Sequence, residues 1–240
     1  QLNGKKVSPC NDKLKKQFGL HSLKGFGIEN LSLGITAAGA ILFYLEQNHS
    51  TGVGHLCSIS RVDQGNFVWL DRFTFRNLEI FSPASCSDGT SLMDVVDKCS
   101  SPLGARLLRN WLSMPVKDRG EIERRHEVVE FFVNERDVAG HIQEAISNVG
   151  DLERITARAA AGKLAPREVI QLKRGLDQMR PIKELSTGNY PQSIILSEGV
   201  VSSELEELAS GISLFDELKR EIESTMAAEP AAQVGKGDII

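Results

Sequence analysis

Between Ser101 and Pro115 the chain reads S-P-L-G-A-R-L-L-R-N-W-L-S-M-P, a stretch that leaves little room for anything but a helix. Ser101 can cap free backbone amides, and Pro102 suits the first helical position because its missing N–H would lack an intrahelical partner there. Leu103, Leu107, Leu108, Trp111 and Leu112 then recur at helical intervals as a wide apolar face, and Met114-Pro115 ends it. Upstream, Asp71 opens a short helix, a loop follows around Pro83 to Asp88, and a second short helix lies near Ser91–Asp97.

The same grammar predicts helices throughout the rest of the chain. Asp118 and Glu121 form a capping-box arrangement with Asp in place of Ser or Thr. The helix they open is expected to bury Ile122, Val129, Phe132 and Val133. Val138, Ile142, Ala145, Ile146 and Val149 make an apolar stripe before Gly150, and Asp151 caps Leu152–Ala161. Pro166 opens a helix with Val169, Leu172, Leu176 and Met179 on one face, and Pro181 kinks or ends it. Ser186–Gly199 reads as a loop with one apolar island, Ile194–Leu196. Leu205, Leu208, Ile212, Phe215, Ile222 and Met226 predict one final long helix.

Near the other end, residues 1–11 read as a tail and Asp12 as the cap of a short helix through Phe18. A helix is expected from about Glu29 to Gln47, with Leu31, Ile35, Ala38, Leu42 and Leu45 at helical spacing and small residues suited to close packing. A boundary falls in the polar stretch Asn48–Gly54. Leu56–Val62 and Asn66–Leu70, separated by Asp63-Gln64-Gly65, are the good strand candidates and predict one hairpin.

Polar residues threaded through this frame carry a resemblance. T-x-R-N-L-E at Thr74–Glu79, L-x-x-V-x-D at Leu92–Asp97 and S-P-x-G-x-R-x-L-x-x-W-L from Ser101 resemble the start of the core (lever) domain of the MutS family, the DNA mismatch-recognition proteins. R-x-x-V-V in the Arg124–Val128 region, D-L-E-R at Asp151–Arg154, G-K at Gly162-Lys163 and P-R-E at Pro166–Glu168 follow in the family's order. G-F-G-I-E at Gly25–Glu29 and A-A-G-A-I-L-x-Y-L at Ala37–Leu45 resemble the end of its connector domain, an α/β unit of ribonuclease-H-like fold. The expected fold is therefore mainly α: a helical core/lever domain over 49–240 with one small β-hairpin, preceded over 1–48 by the C-terminal helices of the connector. The structural core motif implied by the resemblance comprises Thr74, Arg76, Asn77, Glu79, Asp97, Arg106, Asp151, Glu153 and Arg154.

Weighed for chemistry, the chain offers little. Val234-Gly235-Lys236-Gly237-Asp238 lacks the hydroxyl and the earlier glycine of a phosphate loop and reads as a surface turn. Asp94 and Asp97 share a helix face and, with Glu79, are expected to form a buried ion network with Arg76 and Arg106 rather than an acid–base pair. His49, His55 and Cys57 are loosely spaced like metal ligands, but nothing completes a zinc set. The mismatch-reading Phe-x-Glu motif of the family is not met at Phe18, Phe26, Phe73 or Phe75.

The net charge of −4 gives no overall footprint for nucleic acid, so DNA binding would need a local basic patch. Asp151–Arg180 holds seven basic residues against four acidic ones. Arg158, Lys163, Arg167, Lys173 and Arg174 are candidates for a weak DNA-backbone contact, against the alternative of a solvated face or a contact with other domains. The acidic last helix should face away from DNA.

The four cysteines are irregularly spaced and read as reduced thiols, and no apolar run is long enough to span a membrane. The chain opens on Gln and stops at Gly237-Asp238-Ile239-Ile240, which reads as a piece of something longer. The resemblance implies a coupling segment with no catalytic site, cofactor or metal of its own. Its parent would be a homodimeric, cytoplasmic, nucleoid-associated bacterial ATPase using ATP/ADP and Mg. That parent would bind mismatched double-stranded DNA and recruit a downstream repair factor. A freestanding helical scaffold for protein partners, or the matching segment of a meiotic-type homologue, are the alternatives.

Overall fold

The structure, a computed structural model, describes residues 4–28, 30–48, 53–54, 56–61, 64–84, 89–191, 194 and 201–227. His49, His55, residues 85–88, Leu196 and Gly235-Lys236-Gly237 lie outside the described residues. The chain is mainly helical and divides into two compact units, one of Gln1–Asp63 with Thr156–Leu164, the other of Gln64–Ile155 with Ala165–Ile240.

The first unit is built on α1 (Gly4–Phe18) and α2 (Ser32–Asn48). Cys10 and Leu14 from α1 and Ile35 and Leu42 from α2 share a core with Leu23, Ile28 and Val53. Gly39 makes the approach possible: a Cβ there would lie 2.4 Å from Cys10 Cβ. The predicted tail is therefore helical from Gly4, with Pro9 inside it. An interior proline costs about 3 kcal/mol, and burial of the flanking Cys10 and Leu14 against α2 opposes that cost. Gln17 Nε2 closes the unit by donating to the carbonyls of Val53 and Leu56 at 2.7 and 3.0 Å.

In the second unit the helices open at Asp71, Ser101 and Asp118 as read, although the Glu121 carboxylate turns to Arg124 and Arg125 instead of completing a capping box. Asp71 caps α3 (Arg72–Asn77), accepting from Thr74 N at 2.7 Å. Ser91 and Asp94 form a reciprocal capping box on α4 (Leu92–Val96). Ser101 accepts from Gly104 N to open α5 (Pro102–Ser113), and Asp118 accepts from Glu121 N to open α6 (Arg119–Asn134). The stripe of α7 (Arg136–Ser147) is buried at Val138, Ile142 and Ala145. It packs on α10 (Met179–Ser186), whose Leu185 joins Phe131, Ile194 and Leu205 in the same core. The remaining elements are α8 (Leu152–Ala160), α9 (Pro166–Asp177), α11 (Ser203–Ser210) and α12 (Asp216–Thr225). Gly175 of α9 lies so close to the end of α7 that an added Cβ would sit 2.3 Å from Val149 O.

Three details depart from the sequence pattern. The buried face of α6 is centred on Phe131, while Val129 and Val133 are exposed, because α7 and α11 pack on the Phe131 side. The single long final helix is two helices, α11 and α12, broken at 211–215 where Phe215 adopts φ 50°. There Lys183 Nζ donates to Ile212 O at 2.9 Å, fixing the break from outside the segment. The hairpin is also not formed as expected: residues 56–61 are not in a strand, and Phe67 forms an isolated antiparallel bridge with Val116, supported by Val68 N donating to Pro115 O at 2.7 Å.

Gly175→Ala should therefore destabilise the chain by about 3 kcal/mol through overpacking against Val149, read as a lower urea midpoint. Gly140→Ala, in a helix with open space around it, should instead stabilise it by up to about 1 kcal/mol. Equal effects at the two positions would contradict the close approach of α9 to α7.

Candidate functional site

Arg106 projects from α5 onto the D-L-E-R turn. Its Nη1 and Nη2 donate to the two carboxylate oxygens of Asp151 at 3.2 and 2.7 Å, and its Nε donates to Glu153 Oε2 at 2.6 Å. This fork uses the planar guanidinium geometry that matches a carboxylate in two-point contact. Asp151 Oδ1 also accepts from Arg154 N at 3.2 Å, as a helix cap does at the start of α8. Arg154 in turn lies 3.5 Å from Glu168, whose other oxygen accepts from Ala165 N at the start of α9. The charged residues of D-L-E-R thus tie α5, α8 and α9 together.

The buried network expected among Glu79, Asp94, Asp97, Arg76 and Arg106 is not what forms. Arg106 is 44 % exposed and takes Asp151 and Glu153. Asp94 is exposed and serves its own helix cap. Asp97 accepts from Cys99 N at 3.1 Å, and Arg76 and Asn77 are exposed on α3. The physical reason is local: short aspartates next to helix ends find backbone amides before they find a distant arginine.

Glu79 is a turn residue. It adopts φ 50°, and its carboxylate accepts from Ala84 N at 2.9 Å. The carbonyls of Glu79 and Ile80 receive the Leu92 and Met93 amides at the start of α4. Thr74 contributes the amide that Asp71 caps. Phe75 stacks on Phe81 at 5.5 Å, and Arg109 of α5 lies 4.3 Å over the Phe81 ring.

Among the basic candidates, Arg158 Nη2 donates to Lys163 O at 2.9 Å and so closes the end of its own helix. Lys173 pairs with Asp177 at 3.4 Å and with Glu223 at 3.2 Å. Arg167 and Arg174 are exposed on α9. The acidic last helix was expected to face away from DNA; its second part, α12, packs on α9 and supplies Glu223 to Lys173. Sequence reasoning also missed the bridge from Glu127 to Ser202 and Ser203 at 3.1 and 3.3 Å, which joins α6 to the start of α11. The Ser-Ser-Glu start of α11 signals a cap but not the partner 75 residues away.

A cavity of about 430 Å³ lined by Cys99, Gly104, Phe132, Ile142 and Ile146 is largely apolar. Burial, then the hydrogen bond to Asp97, pushes the Cys99 thiol above its ordinary pKa, away from the thiolate form. Among the described residues, no group of three or more His, Cys, Asp or Glu could hold a metal ion, and no helix is long and apolar enough to cross a membrane.

The Arg106 side-chain hydrogen bonds are the largest influence holding the Asp151 carboxyl below its ordinary pKa, reinforced by the Arg154 amide and the nearby charges. A depressed folded-state pKa contributes stability above the unfolded value of about 4 that is lost as pH falls through the folded value. Asp151→Asn should therefore lower the urea midpoint at pH 7, with the gap to the wild type closing progressively below about pH 4. A gap independent of pH would contradict an ionised Asp151 at this junction.

Residues 73–240 match the family model of MutS domain III. The chain is 39% identical to the DNA mismatch repair protein MutS of Parabacteroides distasonis over 98% of its own length and 26% of that protein's. The corresponding protein of Flavobacterium psychrophilum is 38% identical over 96% of the chain and 25% of the relative. That of Phocaeicola vulgatus is 39% identical over 97% and 25%. The chain spans about a quarter of the length of these curated relatives. It belongs to the MutS family, with residues 73–240 corresponding to domain III.

Proposed function

We propose that this chain is a coupling segment of a bacterial DNA mismatch-recognition ATPase, carrying the end of the connector over 1–48 and the first part of the core/lever over 49–240. The observation that carries this reading is the apolar surface left exposed around the family motifs. Phe73 is 74% exposed and Trp69 70%, and Leu78, Val95, Leu107 and Trp111 are also exposed. Large exposed apolar side chains gathered in one segment mark a packing surface rather than a finished exterior. A freestanding scaffold would present polar outer faces there. The relatives are named for DNA mismatch repair and are about four times as long, so partners for this surface are available in the parent.

On this reading the parent is a homodimer that binds mismatched duplex DNA, exchanges ADP for ATP with Mg, and recruits a downstream repair factor in the bacterial cytoplasm. The segment's share is mechanical and uses no catalytic site or cofactor of its own. Helices pinned at the Arg106 junction and at Gly175 move as one body, so that a displacement at one end is delivered at the other.

Fluorescence-anisotropy titration with mismatched and matched duplexes tests this. The expected result is no binding at physiological salt and no mismatch preference at low salt. Preference for the mismatch would contradict the assignment of recognition to other parts of the parent.

A further inference from the structure

The basic residues of α9 and α10 are met by the chain's own carboxylates along a line. Lys173 Nζ lies 3.2 Å from Glu223 Oε1, and Arg180 Nη2 lies 3.1 Å from Asp216 Oδ2. Asp216 also pairs with Lys219 at 2.8 Å. Asp216 and Glu223 are seven residues apart on the single helix α12, about 10 Å along it, so the two cations that meet them are separated by a similar distance. Cations at this spacing are extended, which suits a linear polyanion better than a single small anion.

The helix that supplies the carboxylates is lightly attached. Lys219 and Ile222 are its buried residues, while Leu218 is exposed and Phe215, which leads into it, occupies φ 50°. Arg180, Asp216 and Glu223 are each about half exposed or more, so solvent and salt screen their pairs. Phosphate oxygens offer the same two-point partner to a guanidinium as a carboxylate does.

We propose that α12 is an acidic cover over a nucleic-acid-backbone contact surface on α9 and α10. Asp216 occupies Arg180, and Glu223 shares Lys173 with Asp177 of α9; duplex phosphates take the places of Asp216 and Glu223 when α12 is displaced. The inference goes beyond the coupling role and rests on the charge geometry alone.

The test compares the full chain with Asp216→Asn/Glu223→Gln, using anisotropy of a fluorescein-labelled matched duplex across a salt series. Circular dichroism melts confirm that each variant is folded. A control, Glu217→Gln/Glu221→Gln, removes the same charge from exposed positions of the same helix. The uncovering variant should bind on the order of tenfold more tightly at low salt, with the slope of log K against log salt steeper by roughly 1.8. Adding Lys173→Ala and Arg180→Ala should abolish the gain.

No gain, an equal gain in the control, or a gain that survives loss of both cations would overturn the proposal. Mismatch preference by the unmodified chain would instead contradict the coupling role and leave this comparison unaffected.

Discussion

The contact on which the second unit depends is the fork of Arg106 on Asp151 and Glu153. It joins residues 45 and 47 positions apart in sequence, and it lands on the turn from which α8 begins. Gly150, at φ 74°, turns the chain there so that the Asp151 carboxylate faces α5 and the Arg154 amide together. A lysine would supply one point charge where the guanidinium supplies three directed donors, so the junction specifies an angle as well as a distance. The continuation through Arg154 and Glu168 sets the start of α9, and Gly175 then lets α9 lie against the end of α7.

Much of this was legible because the signals are local. Ser101-Pro102, Asp118 and Asp71 act within one helical turn, and the structure places each helix start where the residues put it. The α7 stripe was legible because the helix lies against a core along one complete face. What failed was whatever depends on a distant partner. Val129 and Val133 look as apolar as Phe131, and only the placement of α7 and α11 decides which side of α6 is buried. The apolar seam across 205–226 is continuous in sequence, yet Lys183 and Arg180 capture the backbone and side chain at its break. The pairing of the motif residues was not legible: Asp94 and Asp97 are satisfied by nearby amides, and the arginine goes to a carboxylate read only as part of D-L-E-R.

Two kinds of exposed surface stand out within the second unit. Around α3, α4 and α5 the exposed side chains are large and apolar, suited to permanent packing. Along α9 and α12 they are oppositely charged pairs at the surface, individually weak and exchangeable.

The decisive measurement is a thermal double-mutant cycle on Arg106→Ala, Asp151→Ala and the pair together. If Arg106 and Asp151 are coupled through the fork, the double variant should lose clearly less than the sum of the two single losses, the part of Arg106 that is held by Glu153 being lost in either background. If the two losses simply add, Arg106 and Asp151 act independently, and the junction does not hold the helices together.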